Sequence, residues 1–422
     1  MWQALKLRWK SFLIFLAVLG PGIITAAVDN DAPGIATYSI AGATFEFNLL
    51  WSLVPIMILL IIIQEMCIRM GIVTGKGLSD LIREKFGVKI TFILVVGLFI
   101  TNFGNVIAEF AGIAASSQLF AASSNFLVGS IQFLVVPLCA IFIWLLVVQG
   151  NYKSVEKAFL AATLFYFSYV LAGIMAAPDW MEVASKTIAP TIEFSHEYLL
   201  LFVGLVGTTI APWMQFYLQA AVVEKGVKKE ELKFSRADVV LGSLVTIVVA
   251  FFIIVTTAST LFKNGVRIET AADAASALAP LAGVYASYLF SFGLFIAALF
   301  AAAILPLSTA FVVCESFGWD SGIDRRFREA PEFYTIFTAL IVLGAVIVLL
   351  PGIPIIPIML FSQVLNGILL PFVLIFMLLL INDKKLMGEH TNSKLFNVIA
   401  WASSAFLIIL SIILVASTLA MV

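Results

Sequence analysis

Apolar runs of about 20 residues or more alternate with short polar stretches along almost the whole chain. Because about 20 apolar residues suffice to cross the hydrocarbon core of a bilayer as a helix, each run predicts one transmembrane span. We predict eleven spans, at residues 12–43, 49–68, 89–119, 127–149, 156–176, 198–222, 238–262, 284–313, 333–350, 355–381 and 395–421. The first, third and eighth runs are long, which indicates a break, a tilt or a short extension in each.

A polar segment, Asp29-Asn30-Asp31-Ala32-Pro33-Gly34, interrupts the first apolar run. A carboxylate at the centre of a bilayer costs roughly 3 kcal/mol on insertion scales. Proline cannot continue the backbone ladder of a helix, and glycine weakens it further. The segment therefore predicts a helix that breaks at mid-depth and holds something polar, which is how secondary transporters build their binding sites.

The sixth run contains a second break signal, the pair Ala211-Pro212. It corresponds to Ala32-Pro33 in the first run, since each pair lies about two-thirds of the way into its run and five spans separate them. Corresponding broken helices predict two inverted repeats of five spans. We place these repeats at residues 11–177 and 198–382, with an N-terminal segment at 1–10 and an eleventh helix at 395–422.

The composition agrees with a polytopic membrane protein. The chain is 62% hydrophobic and 12% charged, with a mean hydropathy of +1.11, whereas soluble domains contain about 25% charged residues. The polar loops are too short to form a separate catalytic domain, and an intramembrane protease would need two Asp motifs that converge. We therefore expect no enzymatic activity, no nucleic-acid binding, no cofactor and no obligate protein partner besides the lipid bilayer.

The positive charges predict the orientation of the spans. If the N-terminus is cytoplasmic and the spans alternate, the segments expected on the cytoplasmic side contain all but three of the 24 Lys and Arg. The exceptions are Lys186, Lys263 and Arg267. Such an asymmetry follows the positive-inside rule. It predicts a multi-pass plasma-membrane protein with a cytoplasmic N-terminus and an extracellular C-terminus.

Oxygen donors dominate both breaks. Asp29 and Asp31 lie at the first break, Thr208 and Thr209 lie at the second, and a broken helix also frees backbone carbonyls. Both His residues lie in predicted loops. Hard oxygen ligands suit Mg²⁺, Ca²⁺ or Mn²⁺ better than Zn²⁺ or Cu²⁺. The sequence leaves open which of the two Asp residues faces the ion.

Other polar side chains also lie within predicted spans. Glu109 in the third span is either an ion or proton relay or a carboxyl hydrogen-bonded to a neighbouring helix. Gln363 and Asn366 in the tenth span are three residues apart and share one helix face. They either line the same cavity as the breaks or hydrogen-bond to neighbouring helices.

Together these motifs resemble the Nramp family of divalent-metal transporters. The resemblance implies an all-α membrane protein with a LeuT-like fold, in which helices 1 and 6 of two inverted five-helix repeats are broken. The segments that carry it are Gly20-Pro21-Gly22, the break with Asp31, Ala36-Thr37, Ala41-Gly42-Ala43, Gly71 to Lys76, the proline-centred sixth span, Ser362-Gln363-Val364, Leu370-Pro371-Phe372 and Asp383 to Gly388.

Several positions depart from the family pattern. Asp31 matches the metal-binding Asp of the family's first span, but Gly34 stands where the family has a metal-binding Asn. In the sixth span, Thr208 stands at the family's Ala, a carbonyl ligand, and Ala211 stands at its Met, a thioether ligand. These losses imply a wider site without the soft sulfur ligand that favours transition metals.

The residues that the family uses for proton movement also differ. Trp213 replaces the family's His, and Val106 replaces the Asp of its Asp-x-x-Glu motif, whose Glu remains as Glu109. Leu369 stands where the family has a Gln in the tenth span. The pattern is similar to the Nramp-related magnesium transporters, which carry Mg²⁺ and Mn²⁺ without coupled protons.

The predicted function is therefore uptake of Mg²⁺, with Mn²⁺ as a second substrate, into the cytoplasm by alternating access without proton coupling. The alternative is an ordinary proton-coupled Mn²⁺ or Fe²⁺ importer in which Glu109 carries the proton. A membrane metal sensor and a sodium-coupled carrier of organic solutes are more distant alternatives. The predicted metal-site residues are Asp31, Gly34, Thr208, Ala211, Asp29 and Thr209, and the predicted pore-lining residues are Trp213, Gln363, Asn366 and Glu109.

Overall fold

The computed structural model describes residues 21–123, 131–149, 167–323 and 325–421. Within these ranges the regular secondary structure is entirely helical. Nine helices of the described residues are long and apolar enough to cross a membrane. Two expected spans are not among these nine: the first is split in two, and the fifth lies mostly outside the described residues, as does the N-terminal segment 1–10.

The helices follow the expected order along the chain. The first part contains α1 (Pro21–Asp29), α2 (Ala32–Phe45), α3 (Leu53–Thr74), α4 (Leu78–Phe86), α5 (Val88–Ser123), α6 (Ile131–Val148), α7 (Phe167–Met175) and α8 (Trp180–Ile188). The second part contains α9 (His196–Thr209), α10 (Pro212–Glu224), α11 (Leu232–Thr260), α12 (Ala271–Ser276), α13 (Ala279–Ala282), α14 (Ala286–Phe317), α15 (Pro331–Val348) and α16 (Ile355–Ile381). The chain ends with α17 (Lys384–Met387) and α18 (Lys394–Met421).

The first span is interrupted over only two residues. Helix α1 ends at Asp29, and Asp31 is extended, with φ −69° and ψ 179°. The Asp31 carboxylate accepts a hydrogen bond of 2.6 Å from the Gly34 N–H and thereby caps α2. Pro33 lies in the first turn of α2, where its missing N–H costs no helical hydrogen bond. The break is thus shorter than the six-residue segment expected from the sequence, because its second half belongs to α2.

The sixth span is interrupted in the same way. Helix α9 ends at Thr209, and Ile210 has φ −130° and ψ 56°. Ala211 is extended, with φ −64° and ψ 139°, and α10 starts with Pro212. Thr208 therefore lies in the last turn of α9. Both breaks consist of a helix, two non-helical residues and a new helix with proline in its first turn, which confirms the prediction that both spans are broken.

The halves of the broken spans pack against each other in matching pairs. Helix α2 contacts α9, and α1 contacts α10. Helix α5, which is 36 residues long, packs along α14, which is 32 residues long. Both of these spans are as long as their apolar runs indicated, and the tenth span, α16, has the expected bounds. The breaks therefore lie inside a bundle that the long helices surround.

Two glycines bring α9 and α16 into backbone contact. A Cβ atom at Gly207 would overlap the carbonyl oxygen of Gln363 and the amide nitrogen of Gly367. A Cβ atom at Gly367 would likewise overlap the carbonyl oxygen of Val203. Only glycine allows two helices to approach this closely, so the crossing depends on both residues.

The start of α1 is fixed by a residue of the seventh span. The buried Asp238 of α11 accepts a hydrogen bond of 2.7 Å from the N–H of Gly22. A Cβ atom at Gly22 would lie 2.8 Å from the same carboxylate oxygen. Glycine is required here because the carboxylate that caps α1 occupies the space of a side chain.

Helices α6 and α18 lie at the periphery. Their outward faces expose large apolar side chains, among them Phe133, Leu138 and Phe142 on α6 and Val398 and Ile412 on α18. Such exposed apolar faces suit contact with lipid. The eleventh helix is therefore peripheral, as expected from its position outside the repeats.

Candidate metal site

The two breaks meet at Gly34. A Cβ atom at this residue would lie 2.9 Å from each of three oxygens: the Asp29 carbonyl, Oδ1 of Asp31 and the Thr208 hydroxyl. The first two belong to the first span and the third belongs to the sixth span. The side-chain-free Gly34 thus leaves space among three oxygens from both broken helices, which we call the oxygen cradle.

A hydrogen bond beside the oxygen cradle joins the same two helices. The Tyr38 hydroxyl and the Thr209 hydroxyl lie 2.8 Å apart, and Thr209 also donates to the Leu205 carbonyl at 2.7 Å. The Thr208 hydroxyl, by contrast, is buried and has no hydrogen-bond partner among the described residues. The structure therefore favours Thr208 over Thr209 as an oxygen donor to a bound ion.

Further buried polar groups of the first break have no partner. Both carboxylate oxygens of Asp29 and both amide atoms of Asn30 lack hydrogen bonds to described residues. These two residues are 1% and 0% exposed. A buried polar group without a partner costs about 1–3 kcal/mol. Such a concentration of unpaired groups indicates a segment that binds water or an ion that the chain itself does not supply.

Glu109 of α5 reaches the first break. Its Oε2 accepts a hydrogen bond of 3.4 Å from the N–H of Ala32, and its carboxyl lies within hydrogen-bonding reach of the Asp31 carboxyl. Glu109 is fully buried. Two buried carboxylates within hydrogen-bonding reach of each other repel unless a cation or a proton lies between them. The structure therefore places the acid of the third span beside Asp31, a contact that the sequence left open.

One of the two polar residues predicted to line the pore in the tenth span, Asn366, is bonded to the third span. The side chains of Asn366 and Asn105 exchange two hydrogen bonds, of 3.0 and 3.2 Å. Asn366 also donates to Oε1 of Gln363 at 2.9 Å. Asn366 thus makes a helix-to-helix hydrogen bond, whereas the Gln363 side chain bonds within α16, to Asn366 and to Ser362. Sequence reasoning missed Asn105, although it lies one helical turn before Glu109 on α5.

The remaining predicted residues lie at the start of α10. Ala211 is buried, has no side-chain donor and accepts a backbone hydrogen bond of 3.1 Å from Met214. Trp213 is buried, and its carbonyl accepts a hydrogen bond of 3.2 Å from the Ser308 hydroxyl of α14. Trp213 therefore links α10 to α14, and Ala211 adds no side-chain ligand to the second break.

The donor set is one of mixed oxygens. The described residues contain no group of three or more His, Cys, Asp or Glu side chains that could hold a metal ion. The oxygen cradle instead combines a carboxylate, a carbonyl and a hydroxyl. These are hard ligands, and a set this small leaves room for water molecules on the ion. The chemistry of the site fits a hard divalent cation.

Comparison with known proteins agrees with this architecture. Residues 22–417 match the family model described as Nramp, natural resistance-associated macrophage protein-like. The divalent metal cation transporter MntH of Bacillus subtilis (strain 168) is 25% identical over 426 residues, which cover 99% of this chain and 96% of the relative. The match thus extends over both broken spans and nearly the whole chain.

Solved structures show the same fold. The crystal structure of the Eremococcus coleocola manganese transporter in complex with an aromatic bis-isothiourea substituted compound matches with a TM-score of 0.78 and 20% identity, over 96% of this chain and 87% of that one. The structure of MhsT in complex with L-phenylalanine matches with a TM-score of 0.59 and 14% identity, over 94% of this chain and 98% of that one. The predicted LeuT-like fold is confirmed, and the chain belongs to the Nramp family.

Proposed function

We propose that this protein carries divalent cations across a membrane by alternating access, with the oxygen cradle as the binding site. The observation that carries the proposal is the convergence of three oxygens, drawn from both broken helices, around Gly34. Secondary transporters of related architecture bind their substrates where such broken helices meet. The names of the relatives, a divalent metal cation transporter and a manganese transporter, support a metal ion as the substrate.

We propose Mg²⁺ as the main substrate and Mn²⁺ as a second one. Gly34 and Ala211 supply no side-chain ligand, although they stand where the resemblance places an Asn and a Met. The three atoms nearest to a Cβ at Gly34 are all oxygens. Mg²⁺ gives up its water reluctantly and is bound through a few oxygens, so a roomy oxygen site suits a partly hydrated Mg²⁺.

The proposed driving force is the membrane potential without coupled protons. A divalent cation that crosses 100 mV gains about 4.6 kcal/mol. Trp213 and Val106 do not titrate, although the resemblance places a His and an Asp at these positions. These replacements support uncoupled entry into the cytoplasm.

The second candidate function is proton-coupled import of Mn²⁺ or Fe²⁺. It is favoured by the manganese named for the structural relative and by the carboxyl of Glu109, which lies against Asp31. A proton between these two carboxyls would neutralise the pair in the absence of a metal. The two candidates differ in what accompanies the ion, which can be measured.

The test is uptake by purified protein in liposomes with an imposed negative-inside potential. We expect Mg²⁺ to enter without internal acidification, and millimolar Mg²⁺ to block Mn²⁺ uptake. Acidification in step with metal entry, or Mn²⁺ uptake that ignores millimolar Mg²⁺, would establish the second candidate instead. Protein-free liposomes give the leak rate for the metal ions and for protons.

A substitution at Ala211 tests the metal preference. Ala211→Met introduces a thioether at the second break, and soft sulfur favours Mn²⁺ over Mg²⁺. We expect the ratio of Mn²⁺ to Mg²⁺ uptake to rise about tenfold, equivalent to roughly 1.4 kcal/mol. Ala211→Leu adds similar bulk without sulfur and should leave this ratio unchanged. An equal rise in both variants would assign the effect to size and contradict the ligand argument.

A further inference from the structure

A cavity of about 470 Å³ lies between α3, α11 and the start of α18. None of the residues that line it belongs to the oxygen cradle or to either break. Its lining combines two arginines, one glutamate and two hydroxyl side chains with three apolar side chains. The cavity is therefore both positively charged and partly apolar.

Arg69 is the buried cation of this cavity. Its side chain is 6% exposed, and its two terminal nitrogens donate to the His390 carbonyl at 2.7 Å, to Glu65 at 2.9 Å and to Oδ1 of Asn392 at 2.5 Å. The Nε–H of Arg69 has no hydrogen-bond partner among the described residues. A buried charged group with an unpaired donor indicates that a further acceptor binds at this position.

The second arginine leaves the cavity with excess positive charge. Arg236 of α11 also pairs with Glu65, through its Nε at 2.8 Å, while its side chain remains 49% exposed. One carboxylate thus faces two guanidinium groups. Guanidinium groups bind phosphate oxygens through charged N–H donors, so the unpaired Nε–H of Arg69 and the half-exposed Arg236 favour a phosphate oxygen as the missing acceptor.

The start of α18 adds to the same anion-binding character. The Ser393 hydroxyl lines the cavity and accepts a hydrogen bond of 3.3 Å from the N–H of Phe396. The N-terminus of this 28-residue helix is therefore adjacent to the two arginines. Helix N-termini favour bound anions through their free N–H groups and their dipole.

Two of the three apolar lining residues, Ile61 and Val240, lie deeper in their spans than the charged residues do. On α3, Ile61 and then Glu65 precede Arg69 at intervals of one turn; on α11, Val240 follows Arg236 by one turn. Charged residues thus occupy the end of each helix, and apolar residues lie one or two turns further into the span. This gradient matches the junction between the head group and the acyl chains of a lipid, whereas a free phosphate ion needs no apolar wall.

We propose that this cavity binds the phosphate of an anionic phospholipid head group between Arg69 and Arg236, with the acyl chains along Ile61, Val240 and Phe396. The lipid belongs to the leaflet that we expect to be cytoplasmic, where basic pockets between spans recognise anionic head groups. The site is separate from the oxygen cradle, so its test does not depend on the metal or on transport.

The test compares lipids by native mass spectrometry and thermal unfolding of the full chain in detergent. Phosphatidylglycerol should remain bound to the wild type and raise its Tm, and phosphatidylcholine with the same acyl chains should do neither. Arg236→Gln should lower the affinity for phosphatidylglycerol at least tenfold. This variant leaves Arg69 paired with Glu65, and so avoids the loss of the Arg69 contacts that hold α3 to the loop before α18.

Arg328→Gln is the matched control, because Arg328 is exposed, lies on the same expected side and carries the same charge. It should bind phosphatidylglycerol like the wild type. Equal losses in both variants would show a general surface-charge effect and overturn the proposal, as would equal retention of the two lipids. Glycerol phosphate without acyl chains should have little effect; a full Tm shift with it would overturn the lipid as the source of the phosphate.

Discussion

The break in the first span and the break in the sixth span have the same backbone design but different chemistry. Each interrupts its helix over two residues, and each restarts with proline in the first turn. The first break contains Asp29, Asn30 and Asp31, whereas the second contains Ile210 and Ala211. The acidic charge of the breaks thus comes from one repeat, and the other supplies a neutral hydroxyl. The two breaks can therefore share one backbone design while the acidic groups of the proposed site come from only one of them.

Removal of the Asp31 charge should have the largest effect on metal uptake. Asp31→Asn keeps a side chain that caps helices as well as Asp does, so α2 should remain intact and the Tm nearly unchanged. We expect metal uptake in liposomes to fall by more than about 100-fold, since even indirect ligands change metal affinity by about 10- to 100-fold. Asp29→Asn is the matched variant, because the Asp29 carbonyl rather than its carboxylate lines the oxygen cradle. If Asp29→Asn abolishes uptake and Asp31→Asn does not, the ligand assignment is wrong.

A methyl group added to the oxygen cradle should have the next largest effect on metal uptake. Gly34→Ala places a Cβ 2.9 Å from three oxygens, so it fills the space proposed for the ion. We expect the uptake rate at low metal concentration to fall about 10- to 100-fold, comparable to the loss of a ligand-supporting group.

Gly204→Ala is the control for this substitution, because a Cβ at Gly204 meets its nearest atoms at an ordinary 3.5 Å. It should transport like the wild type. Normal uptake by Gly34→Ala, with a normal Tm, would show that the ion does not bind at Gly34.

Substitutions at the two threonines that precede the second break should separate effects on metal binding from effects on stability. Thr208→Val removes an unpaired hydroxyl and should raise the KM for metal about tenfold, or roughly 1.4 kcal/mol, without lowering the Tm. Thr209→Val removes the hydrogen bonds to Tyr38 and Leu205 and should destabilise the protein by about 1 kcal/mol, with a small change in KM. We would check the expected KM by titrating uptake against metal concentration, and the expected stability by thermal unfolding, for both variants. The opposite pattern would make Thr209 the ligand.

The breaks could be predicted from the sequence because their causes are local. Asp31, Pro33 and Pro212 each oppose an uninterrupted apolar helix, whatever surrounds them. The extent of the breaks could not be predicted, since whether Pro33 ends a helix or begins one depends on the cap that Asp31 forms with Gly34.

Contacts between distant spans were beyond the sequence. Glu109 was recognised as an acid within a span, but its contact with Ala32 depends on how α5 is rotated in the bundle. The pairing of Glu65 with Arg236 joins a residue of the predicted second span to a residue of a predicted loop 171 positions away, and no local pattern indicated it. Such contacts follow from packing, which no local pattern encodes.

The glycine crossing of α9 and α16 also determines which parts of the molecule can move separately. Packed helices shift past one another by small adjustments of the side chains between them. At Gly207 and Gly367 the two main chains touch without an intervening layer of side chains. We therefore expect α9 and α16 to move together, and we expect any change of direction in the broken spans to occur at their two non-helical residues.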